Sequence, residues 1–212
     1  MLEFVAMELL LNTFVVLFIV IDPVGLAPMF VALTSGASPA YQRKMAVNGT
    51  LLASGMLLVF YFVGDQLLIA LGVGIPAFRI AGGVLLFLLA IDMVFARQSG
   101  LRSTTIREQR EAETKHDISV FPLAFPLISG PGALTSVLLM SSSAKGMFAF
   151  AGTLVVLLLV LGLTMLSLLF AARILQFLGE TGTNVISRLL GLILAALAVQ
   201  FILDGVHGSF AG

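Results

Sequence analysis

The chain has 212 residues, of which 59% are hydrophobic and 10% charged, with a mean hydropathy of +1.14. Soluble domains carry about 25% charged residues, so lipid must be the solvent for most of this surface. Eleven basic and eleven acidic residues cancel and there is no cysteine. With no basic patch interleaved with aromatics, nucleic-acid binding has no support; disulfides and thiolate metal sites are excluded.

The apolar runs reach the roughly 20 residues of a membrane-spanning helix. They lack the alternation of a transmembrane barrel strand. In chain order, six spans are expected. The first is 8–34, broken near 22–25, followed by 45–64 and 76–96. A polar loop at 97–117 leads to the fourth, 118–143, broken near 129–132, and then to 147–171 and 186–205. Short stretches at 66–74 and 172–180 read as re-entrant or interfacial helices. No Lys or Arg precedes Arg43, so the first run reads as a retained helix rather than a cleavable leader. The loop contains Thr105-x-x-Glu108, a capping-box pattern, and Glu111 one helical turn before Lys115; both fit a solvated connecting helix. With the N-terminus outside, nine of the eleven basic residues fall on the inner side and only Arg79 and Lys145 on the outer. The positive-inside rule therefore puts both termini outside.

Two landmarks recur. "IDPVGLAP" at 21–28 matches "SGPGALTS" at 129–136, with Pro23 over Pro131 at an offset of 108. "RIAGGVLL" at 79–86 matches "RLLGLILA" at 188–195, with Arg79 over Arg188 at an offset of 109. The shared offset divides the chain into 1–96, a linker 97–117, and 118–212. Three spans per half mean that the second copy enters the membrane from the opposite face. The expected fold is an all-α membrane protein of six helices in two inverted-topology repeats, broken in the first and fourth helices. Paired interrupted helices mark the substrate site in transporters of this design.

Chemistry explains why the breaks matter. Pro23 has no N–H to donate, Asp22 is a favoured N-cap and Pro a favoured first helical residue. The first span is therefore expected to restart at Pro23 behind Asp22, with Gly25 loosening the backbone. In the fourth span Gly130 and Pro131 take the same places, after Ser129. Orphan backbone groups at a break must face protein or water, because each costs several kcal/mol in hydrocarbon. A half-helix N-terminus attracts a carboxylate, and the preceding carbonyls suit an ammonium or cation. Gly130, Gly132 and Ala133 leave room for a small ligand, and a zwitterion would match both poles.

Asp22 is the sharpest single residue, because a carboxylate inside a bilayer usually serves function. Two roles fit it: capping the half-helix, or binding substrate ammonium or a coupling proton. Asp92 and Asp204 read as interfacial, and Arg79 and Arg188 as snorkelling to headgroups. Gly82, Gly83, Gly191 and Ala195 read as close helix packing. His116 and His207 lack neighbouring ligands, so no metal site and no cofactor are expected. Ser141 and Lys145, one turn apart, evoke a Ser–Lys pair, but no partner motif supports catalysis and the chain does not read as an enzyme.

"DPVGLAPMF", "AFRIAGGVLLFLLAIDM", "FPLISGPGALTS" and "NVISRLLGLILAALAVQFILDG" together resemble the MarC family of six-helix prokaryotic inner-membrane proteins, over about 8–206. The resemblance implies two inverted three-helix repeats and import of small neutral amino acids such as glycine and alanine, coupled to protons. It also implies a substrate site at the breaks: Asp22, Pro23, Gly25, Ser129, Gly130, Pro131 and Gly132. Asn is common in the family at the position of Asp22. The partners expected are therefore a small neutral amino acid, a proton and the bilayer. The alternatives are a permease or exporter of another small polar solute, and a membrane scaffold that transports nothing.

Overall fold

The computed structural model describes residues 2–95, 117–144 and 146–210. These form α1 (Leu2–Ile21), α2 (Pro23–Leu33), α3 (Pro39–Ala70), α4 (Ile75–Phe95), α5 (Ser119–Ile128), α6 (Pro131–Ser143), α7 (Met147–Leu169) and α8 (Ala171–Phe210). No strand occurs among the described residues. Five helices are long and apolar enough to cross a membrane, α1 with α2 counting as one, and α5 with α6 adds a sixth if that pair is one span bent by 58°. The capping box and the Glu111–Lys115 pair expected in the polar loop, with His116, lie outside the described residues.

Most starts and stops follow from local chemistry. Ser38 Oγ accepts from the Tyr41 N–H at 3.3 Å, with Pro39 as first helical residue, a capped start. From there α3 runs unbroken to Ala70. This corrects the expectation of a separate short helix at 66–74, since no residue between 64 and 70 breaks the helix. The short helix expected at 172–180 is present: Ala171 to Leu178 is helical and ends at Gly179, whose φ of 67° only glycine adopts without strain.

The first half of the fourth span departs from a regular α-helix. Phe121 and Phe125 are extended, with φ/ψ near −132°/128° and −131°/129°, because each precedes a proline. Pro122 has no N–H, and the Leu123 N–H reaches the Ile118 carbonyl five residues back instead, at 3.2 Å. The Ser129 N–H likewise reaches Ala124 O at 2.8 Å. The coil widens as a result.

The two halves of the chain interleave. α1 and α2 pack on α7 and α8, α5 and α6 pack on α3, and α6 also on α4. The most extensive seam joins α4 to α8. It runs antiparallel, with Pro76 beside Gly208 and Met93 beside Gly191. A Cβ on Gly83 would stand 2.7 Å from the Ala198 carbonyl oxygen, and one on Gly191 2.7 Å from Met93 Cβ, so glycine is what lets these backbones touch. Leu51, Val59 and Phe62 on α3, and Leu189, Leu192 and Leu203 on α8, point outward. Continuous apolar surface on that scale belongs against acyl chains.

Candidate functional site at the paired helix breaks

At the first break Asp22 interrupts the chain for a single residue, with φ 52° and ψ 65°. It is the only non-glycine with positive φ among the described residues, a conformation that Asp tolerates better than most side chains. The expected cap is present. Asp22 Oδ1 accepts from the Gly25 N–H at 3.0 Å, and Pro23 opens α2. The carboxylate is 1% exposed, and Oδ2 accepts from Ser187 Oγ of α8 at 3.2 Å. From α7, Ser167 Oγ donates to the Pro23 carbonyl at 2.5 Å. Gly25 serves a role beyond flexibility: a Cβ there would lie 2.1 Å from Asp22 Oδ2 and 2.6 Å from Ser187 Oγ.

At the second break the α6 N-terminus has no such filling. Gly130 takes the N-cap position with φ −65° and ψ 172°, and no side chain caps it. Pro131 is first helical residue, and the Leu134 N–H bonds to Gly130 O at 3.0 Å. Ser129 does not face this start. Its fully buried hydroxyl donates back to Ala124 O at 2.7 Å and so closes the end of α5. A Cβ on Gly130 would sit 2.4 Å from Pro126 O.

The two breaks adjoin through Val20, two residues before Asp22. Val20 lines the same cleft as Leu85, Leu89, Pro126 and the run Gly130 to Ala133. An ideal Cβ on Gly132 would be 3.5 Å from Val20 Cγ1. In this conformation the cleft has room for about one water molecule. One turn deeper on α6, Ser136 Oγ is fully buried with no hydrogen-bond partner. Of the residues named from the sequence, Gly130, Pro131 and Gly132 line the cleft, Asp22, Pro23 and Gly25 form the capped start beside it, and Ser129 turns away. Ser187 and Ser136 lie inside stretches that carry the family resemblance, and Ser136 also within a repeated one; Ser167 lies in neither.

The other candidates lie elsewhere. Arg188 is exposed, whereas Arg79 is half-buried. Asp204 accepts from Gln200 Nε2 at 2.7 Å, and Ser141 donates to Leu138 O. Among the described residues no group of three His, Asp or Glu could hold a metal. Outside the spans, Asp117 accepts from the Ser119 hydroxyl and from the Ser119 N–H at 2.9 Å. The hydroxyl, then the N–H, and more weakly Lys44 hold this carboxyl below its usual range.

An all-helical set of apolar spans, with a carboxylate and an open helix start meeting at two interruptions, defines a polytopic integral membrane protein with a polar centre. Comparison with known proteins makes this specific. The profile of the MarC family, described as "MarC family integral membrane protein", matches residues 7–210, and the chain belongs to that family. It is 35% identical to the UPF0056 membrane protein YvbG of Bacillus subtilis over 201 residues, 95% of each chain. It is 36% identical to a UPF0056 membrane protein of Archaeoglobus fulgidus over 195 residues, 92% of this chain and 90% of that one. With YhcE of Escherichia coli the identity is 33% over 199 residues, 94% and 92% of the two chains. No solved structure matches.

Proposed function

We propose that this protein is a secondary transporter of small neutral amino acids, coupled to protons, in the inner membrane with both termini outside. It works by alternating access between two inverted repeats, with substrate held at the paired breaks. The observation that carries this reading is the uncapped, glycine-flanked start of α6 beside the buried Asp22 segment. The α6 N–H groups and dipole suit a substrate carboxylate. The absence of side chains at Gly130 and Gly132 limits the ligand to a small one.

The packing supports the inverted arrangement. The first span lies against the fifth and sixth, and the fourth against the second and third. Exchanging the halves maps one set onto the other, and the antiparallel α4–α8 seam maps onto itself. The cleft has room for about one water, so α5 or α6 must shift for substrate to enter.

The test is ligand-induced thermal stabilisation of the purified protein, screened across the common amino acids. A ligand that binds only the folded state raises apparent stability as RT ln(1 + [L]/Kd). A shift with glycine, alanine or serine, together with uptake into proteoliposomes under a proton gradient, is the expected result. No shift with any amino acid across a wide pH range, and no uptake under any ion gradient, would overturn the proposal.

A further inference from the structure

Near the end of α3, Asp65 accepts a hydrogen bond from Ser142 Oγ. Near the start of α4, Arg79 Nη2 donates to Ser143 Oγ at 3.3 Å. Both charged residues are half-buried. Ser142 and Ser143 are neighbours at the end of α6, with Cα atoms about 3.8 Å apart. One half-helix of the broken fourth span is therefore fastened at its tip to α3 and to α4, by bonds to charged groups, which are stronger than neutral ones.

The repeat offset of 108 places Thr34 and Ser35 at the corresponding tip of α2. That tip is held differently, by Gln42 Nε2 of α3 donating to the Thr34 carbonyl at 3.3 Å rather than by a charged side chain on its hydroxyl. Thr34 Oγ1 turns back to Phe30 O at 2.8 Å, as Ser142 Oγ also does to Leu138 O. Beside it a cleft of about 480 Å³ separates the end of α2 and the start of α3 from the α7–α8 junction, lined by Phe30, Val31, Thr34, Arg43, Leu169 and Ala171. Arg43 and Asp65 lie on the same unbroken α3, about 33 Å apart at roughly 1.5 Å per residue. The fastened tip and the cleft are at opposite ends of the bundle.

We propose that the Asp65–Ser142 and Arg79–Ser143 contacts form the latch of one gate, closed in this structure, and that the α2-side cleft is the open mouth of the other. The inference rests on the transport reading above and adds to it which end is shut and which residues shut it. Ser136 lies between the latch and the α6 start, buried on the closed side. Opening requires both latch bonds to break together, because α6 carries both serines.

The natural lack of cysteine makes a clean experiment possible in the purified full chain. Val31→Cys probes the cleft and Ser136→Cys probes behind the latch, each by its rate of reaction with a polar maleimide. Val31→Cys should react readily and Ser136→Cys should be protected. Adding Asp65→Ala or Arg79→Ala should speed Ser136→Cys labelling about tenfold, the effect of roughly 1.4 kcal/mol on the opening equilibrium. Should either variant fail to fold, the Ser142→Ala, Ser143→Ala pair removes the same two bonds without changing any charge. An unchanged Ser136→Cys rate in folded latch variants, or a Val31→Cys rate as low as that of Ser136→Cys, overturns the proposal. Labelling needs no substrate. If glycine uptake fails while labelling follows the latch, the amino acid reading falls and the gate stands.

Discussion

The two interruptions share a position in the repeat but not a chemistry. At the first, the new helix start is filled from within: Asp22 Oδ1 takes the Gly25 N–H while Oδ2 takes Ser187 of α8. At the second, Gly130 offers no side chain to the start of α6. Both starts attract an anion, and one already has its own. The lesson is a division of labour. The first break carries a buried acid that caps its own helix start and connects to α8, and the second leaves its start without a side-chain cap. A symmetric pair would have had either two self-capped starts or two uncapped ones.

The largest effect expected from breaking this contrast is at the open start. Gly130→Ala forces a methyl group against Pro126 O. Overpacking of this kind costs about 1–3 kcal/mol of stability, and the displacement it forces at the α6 start should weaken amino acid binding about tenfold, read by titration calorimetry. An unchanged affinity would mean that the ligand does not use this start. Next comes Asp22→Ala, which removes the cap and places alanine at φ 52°. A lost N-cap costs about 1 kcal/mol, up to 2, and the left-handed conformation about 1–2 more, so the melting temperature should fall clearly. Asp22→Asn sharpens the comparison, because Asn also caps and also tolerates this conformation. Stability should stay within about 0.5 kcal/mol of the parent. Dependence of uptake on a proton gradient should vanish if Asp22 carries the coupled proton, and persist if it only caps.

A smaller effect is expected for Ser187→Ala, which removes one bond to the carboxylate and should cost about 1 kcal/mol, measured by thermal melting in detergent. A neutral outcome would show that α8 is not fastened to the first break. Smallest is Asp117→Asn, at the exposed entry to α5. The folded Asp117 carboxyl titrates below its usual value of 3.8. Its contribution is therefore fully present above that value and is lost as pH falls through the lowered one. Parent and variant should differ slightly at neutral pH and melt together in strong acid.

Much of this was readable in the residues. Asp-Pro inside an apolar run announces a capped restart, because both residue types are favoured in those two places and disfavoured within a span. The glycines of "RIAGG" and "RLLG" announce a close seam. Three features needed the folded chain. Ser187 is 165 residues from Asp22, and nothing local distinguishes a serine that meets a carboxylate from one that meets its own helix. The irregular α5 was signalled by Pro122 and Pro126, but a smooth apolar run hides them: hydropathy records that a segment enters lipid, not that its N–H groups are missing. Ser129 looked equivalent to the other break residues because it sits beside them, yet its hydroxyl has a closer acceptor behind it, Ala124 O.

The interleaved packing bears on how such a chain could arise and be made. Helices α1 to α4 find their main neighbours in the other half of the chain rather than among themselves. A half-length chain would therefore lack the main neighbours of every one of its helices, the partner across the glycine seam included. By the same logic a ribosome that has released only residues 1–96 has delivered helices with almost nothing to clasp. Assembly of the bundle must wait for the second half, and two separately encoded halves produced in one cell should find each other.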